Sequence, residues 1–149
     1  MTIAPEYLSF APLSDSAIEE FADLRNFVDR VASDLLGASG LTRTQSDLPV
    51  LQALVEHESL KHANYEAWVA LGIAFGDVLV NTIPGLAWRL VTDQAGTHAA
   101  LQFERKAVSI AAPTMLWKRV ERGEEFDLSH MAQELKSLIE SNSADCRDA

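Results

Sequence analysis

Two histidines beside a carboxylate are the residue types that hold zinc, and the chain offers them once, in His57-Glu58-Ser59-Leu60-Lys61-His62. A helical zinc pair needs its histidines four residues apart, so that both aim at one ion. Five residues leave these about 140° apart round a helix, and Lys61 adds a repelling charge. His98 and His130 stand alone. The four histidines therefore read as solvated or capping side chains, and no metal site is expected. Nucleophile chemistry fares no better. Gly37-Ala38-Ser39-Gly40 has the wrong spacing for a nucleophile elbow, and the seven glycines match neither the dinucleotide fingerprint nor the phosphate loop. Cys146, the chain's one cysteine, excludes an intrachain disulfide and has no element expected to hold a base beside it. No catalytic residue and no cofactor are expected.

Polar residues in unusual company remain. Asp77 interrupts the most apolar segment of the chain. The simplest reading puts it on a thin polar sliver of its helix, with Glu66 and Ala70. The functional reading buries it, and then it needs a cationic partner, for which Arg89 and Lys118 are the candidates. The other group is Trp117-Lys118-Arg119-Val120-Glu121-Arg122. On a helix Lys118 and Arg122 lie one turn apart with Arg119 beside Arg122, a local patch for an anion or an acidic partner. Trp117 adds to it, since Trp and Arg are enriched where proteins bind one another. The competing reading is a solvated face leaning on Glu121 and Glu125.

Elements must position these groups. Ile18, Phe21, Leu24, Val28, Val31 and Leu35 recur at helical steps, with Ser14 and Ser16 competing as N-cap and Gly37 as the stop. Asp47 with Pro49 opens a second helix, and Val50, Leu51, Leu54 and Val55 form its face. A third, from Tyr65 to Asn81, is apolar almost all round and so central, and Gly72 and Gly76 let another backbone approach it. After Pro84-Gly85 the period changes to two. Leu86, Trp88 and Leu90, then Leu101 and Phe103, then Val108 and Ile110 read as a three-stranded antiparallel meander. Pro113 opens a short helix to Arg122, and Asp127 caps a last one with Leu128, Met131, Leu135, Leu138 and Ile139 inward. The expected architecture is a single α+β domain over 1–141: N-terminal helices, a three-stranded meander and two C-terminal helices. Residues 142–149 read as a solvated, disordered tail.

Composition bounds the partners. The chain has 149 residues, 48% of them apolar, which suits one buried core. Twenty-two acids against twelve bases give a net charge of −10, which repels phosphate backbones, so nucleic acid is excluded as a default partner. Only 86–122, with six bases and three acids, runs the other way. The longest apolar run, Trp68 to Gly76, falls well short of the roughly 20 residues of a membrane helix. The N-terminus reads as no secretion signal, so a soluble, cytoplasmic protein is expected.

The series Leu71-Gly72-Ile73-Ala74-Phe75-Gly76-Asp77-Val78-Leu79-Val80, Trp88, Asp93, Gly96, Ala112-Pro113-Thr114-Met115 and Lys118-Arg119-Val120-Glu121-Arg122-Gly123 resembles the bacterial family known as domain of unknown function 3806. The likeness spans about 47–140. It implies a small bacterial α+β domain and offers no catalytic residue to carry over, and Asp77 stands where the family more often has Glu. Asp77, Lys118 and Arg119 are the polar positions of the series that the fold does not demand.

These readings point to a non-enzymatic protein-interaction module, of which a neutraliser of a cationic partner is one form. The alternative is a binding or catalytic domain for a small anionic ligand. Asp77, Arg89, Trp117, Lys118, Arg119 and Arg122 are the candidates for either. A homodimer joined through the exposed apolar side of the third helix is a further expectation.

Overall fold

The computed structural model describes residues 8–38, 40–106 and 108–148, with side chains through 141. Its architecture is α+β, with five helices and a four-stranded antiparallel sheet. Strand β1 (Ser9–Ala11) comes first, then helices α1 (Asp15–Leu36), α2 (Leu48–Glu56) and α3 (Tyr65–Thr82). Strands β2 (Leu86–Asp93), β3 (Gly96–Phe103) and β4 (Ser109–Ile110) follow, then α4 (Ala112–Glu121) and α5 (Leu128–Asp148).

The expected meander is present as β2, β3 and β4, but the sheet has a fourth strand. In the order β1-β2-β3-β4, Phe10 pairs with Val91 and Ala11 with Leu90. Three residues before Pro12 are too few to show a period, which is why the sequence concealed β1. The β2–β3 hairpin turns at Gln94 and Ala95, with the Ala95 N–H donating to the Asp93 carboxylate at 2.8 Å and Gly96 supplying φ 119°.

The helix starts follow their caps. Ser14 prevails over Ser16 and accepts from the Ala17 N–H at 3.1 Å, while Asp127 accepts from the His130 N–H at 3.1 Å. Asp47 does something other than the expected capping. It sits at the N-cap of α2 but turns its carboxylate back to the Thr42 and Arg43 N–H groups, at 2.8 and 2.7 Å, holding the loop from α1. The backbone of α5 runs on to Asp148, past the Ser141 at which the sequence reading ends the helix. The tail expected at 142–149 lies outside the residues whose side chains are described.

Helix α3 is the hub. Every residue from Ala67 to Leu79 except Val69 is buried. Trp68, Ala70, Leu71, Ala74, Phe75, Val78 and Leu79 join one hydrophobic cluster that draws on α1, α2, the sheet, α4 and α5. Most of the apolar side expected to join two copies is covered within the chain, and Val69 and Val80 stay half-buried. Of the helix's two glycines, Gly72 meets the approaching backbone that was foreseen, whereas Gly76 meets a side chain instead. A Cβ at Gly72 would stand 2.5 Å from the Ala112 carbonyl oxygen, and one at Gly76 would stand 2.5 Å from the Trp88 ring. Among the described residues, no helix is long and apolar enough to cross a membrane.

Candidate functional site

Asp77 is buried, at 7% exposure, so the polar-sliver reading gives way. Ala70 is fully buried too, and only Glu66 of that sliver meets solvent. The partner is neither Arg89 nor Lys118 but Arg25 of α1. The Arg25 Nε donates to Asp77 Oδ2 and its Nη2 to Oδ1, both at 2.8 Å, a bidentate pair. Trp88 Nε1 donates to the same Oδ1 at 3.0 Å. Phe21 closes the circuit, with its ring edge-to-face on Trp88 at 4.8 Å and the Arg25 guanidinium over its face at 5.4 Å. The cluster ties α1, α3 and β2 together, with three donated hydrogen bonds on the one carboxylate.

Alternation along β2 explains why Arg89 misses Asp77. Trp88 points at α3, so its neighbour points to the opposite face of the sheet, where Arg89 Nη1 donates to the Trp88 carbonyl at 2.9 Å. Lys118 borders a groove beside Val69 and Ile73, on the part of α3 N-terminal to Asp77.

The basic residues of α4 do not form one patch. Lys118 edges the groove just mentioned, whereas Arg119 lies in a separate hollow with Met131, Glu134 and Leu138 of α5. Arg122 reaches Glu124 at 3.9 Å, and both are well exposed. Trp117 is half-buried against the core and meets the exposed Tyr65 edge-to-face at 5.5 Å. The histidines remain apart: His57 Nδ1 accepts from the Ser59 N–H at 3.1 Å, and His130 sits 2.8 Å from Glu134. Among the described residues no group of three His, Cys, Asp or Glu could hold a metal ion.

Three concavities frame α3. Beside the Arg25–Asp77 pair is a small one of about 150 Å³, bordered by Asn26, Asp29, Arg43 and Asp47. Two of those carboxylates already hold the 41–43 loop. A larger groove of about 510 Å³ runs between α1, α3, α4 and the β2–β3 hairpin. Phe21, Leu24, Val69, Ile73 and Leu90 line it with apolar surface, and Glu20, Thr97, His98 and Lys118 supply its polar groups. Sequence reasoning named Lys118 but missed Glu20 and His98, which come from a helix and a hairpin far away in the chain. The third, a cleft of about 880 Å³, lies between α2 and the turn from α4 to α5. There Gln52 braces α5, donating from Nε2 to the Phe126 carbonyl at 3.1 Å and accepting from the Leu128 N–H at 2.8 Å.

Comparison with known proteins agrees with this frame. A crystal structure from Bacteroides thetaiotaomicron VPI-5482, at 1.50 Å resolution, superposes with a TM-score of 0.76 at 18% identity over 90% of this chain. That likeness shows the fold, and the chain spans only 48% of the other's length. No curated protein matches the chain. The family model for domain of unknown function 3806 matches residues 47–131, which takes in α2, α3, β2, β3, β4, α4 and the start of α5. With that match over more than half its length, the chain belongs to the DUF3806 family.

Proposed function

We propose that the chain is a non-enzymatic module that binds another protein, and that the groove between α1, α3, α4 and the β2–β3 hairpin holds that partner. The observation that carries this is an apolar groove with charges at its edge. Half-buried Leu24, Val69 and Leu90, backed by buried Phe21 and Ile73, offer room for an apolar side chain. Lys118, which has no ion-pair partner among the described residues, stands ready for a carboxylate beside it. Exposed Tyr65, braced on Trp117, extends the surface with the residue types that dominate binding energies. Arg89 and Asp77 take no part in the surface.

The test is capture from a lysate of the native cells by wild type, Lys118→Glu and Ala99→Trp, the last filling the groove. A protein held by wild type and lost by both variants, with the helical signal of all three unchanged, is the expected result. Equal capture by all three overturns the proposal. Association steered by Lys118 also weakens as salt rises.

A small anionic ligand is the second reading, and the placement of His98 and Lys118 on one groove favours it. It predicts a rise in melting temperature with saturating citrate or phosphate, because a ligand that prefers the folded state must stabilise it. The protein-binding reading predicts none.

A further inference from the structure

We infer that the cleft between α2 and the turn from α4 to α5 is a second binding site, one that takes a basic peptide segment. Four carboxylates border it, those of Glu56, Glu124, Glu125 and Asp127, against Lys61 in the lining and Arg122, which reaches Glu124 at 3.9 Å. Lys61 leans instead towards Glu58, at 3.8 Å, and Glu56 and Glu125 have no ion-pair partner among the described residues. Like charges gathered on one concave surface raise the local attraction for a cation.

Trp68 supplies the second observation and narrows the guest. It lines this same cleft, it is 2% exposed, and its indole N–H meets no acceptor among the described residues. Its ring is fixed edge-to-face by Phe126, at 6.3 Å. Buried donors of this kind are normally satisfied, and a guest seated against Trp68 is one source of the acceptor. A simple amine brings positive charge and no acceptor. A peptide brings both: an Arg or Lys side chain for the carboxylates and a backbone carbonyl for the indole N–H. This site is independent of the Lys118 groove and of opposite polarity.

The experiment titrates the full chain, labelled with nitrogen-15, with acetyl-Gly-Arg-Gly-Arg-Gly-amide and separately with spermidine. The Trp68 indole resonance is identified by its disappearance in Trp68→Phe. The proposal expects the peptide to move that resonance saturably. Affinity should fall at least fivefold in Glu56→Gln/Glu124→Gln/Glu125→Gln, all exposed positions, and less than twofold in the control Glu19→Gln/Asp23→Asn/Asp34→Asn. Spermidine should shift amides of the 123–127 turn and leave the indole unmoved. An indole that does not respond to peptide, equal weakening by the two triple variants, or an indole shift as large with spermidine would each overturn it.

Discussion

Asp77 carries three donated hydrogen bonds, two from Arg25 and one from Trp88, on a side chain almost removed from water. Removing one member of such a set strands the others. Asp77→Asn leaves the Arg25 guanidinium facing a neutral amide, and we expect it to cost about 2–3 kcal/mol, below the cost of breaking a fully buried pair because Arg25 keeps some exposure. Urea denaturation measures this, and an unchanged midpoint would mean that the pair is dispensable. Trp88→Phe loses the N–H donated to Asp77 and also the part of the ring packed on Gly76, for an expected cost of about 2–3 kcal/mol. At Gly76, alanine would gain about 1 kcal/mol in an open helix. Here its Cβ would meet the Trp88 ring, so Gly76→Ala should destabilise instead, by about 1–3 kcal/mol. Gly72→Ala should cost more, since its obstacle is backbone at Ala112 and Pro113 rather than a side chain.

At the scale of elements, α1 is the piece that completes the junction. It lies before the residues the family model matches, yet it supplies Arg25 and Phe21 to the cluster around Asp77. A chain beginning at residue 41 would leave Asp77 buried without its cation, so we expect it to lose cooperative unfolding and dispersed amide resonances. A fragment that unfolds as sharply as the whole chain would contradict that. Much of this was legible in the sequence. The 3.6-residue period revealed α1, α2 and the central α3, and the change to a period of two after Pro84-Gly85 revealed the meander. Burial of Asp77 was foreseen as one of two readings, because an acid in so apolar a segment has few other places to go. Arg25 was missed for a physical reason. The apolar series from Ile18 to Leu35 describes a broad face, whereas packing selects Phe21, Val28 and Ala32, leaving Ile18 half exposed. Arg25 sits on that narrower stripe, one turn beyond Phe21. A base on one buried stripe and an acid on another is a signal that a single-helix reading does not combine. The short β1 and the separation of Lys118 from Arg119 into different hollows depend on tertiary contacts, which no local period encodes.

Across the whole molecule, the series that suggests a functional surface proves to be mostly architecture. Gly72, Gly76, Asp77 and Trp88 make the junction, and the open surfaces lie to either side of it. The chain's net charge of −10 is not spread evenly over those surfaces. One groove is apolar with Lys118 at its edge, and the cleft beyond α2 is rimmed with carboxylates. Recognition through the groove, rather than through the buried acid, is the central claim. Its most direct test places a photoreactive benzoylphenylalanine at Ala99, on the groove, or at the exposed Gln133 of α5, and irradiates native cells expressing each. Binding in the groove predicts one discrete adduct from position 99, absent from position 133 and abolished by Lys118→Glu. The same adduct from both positions, or none from position 99, would contradict it.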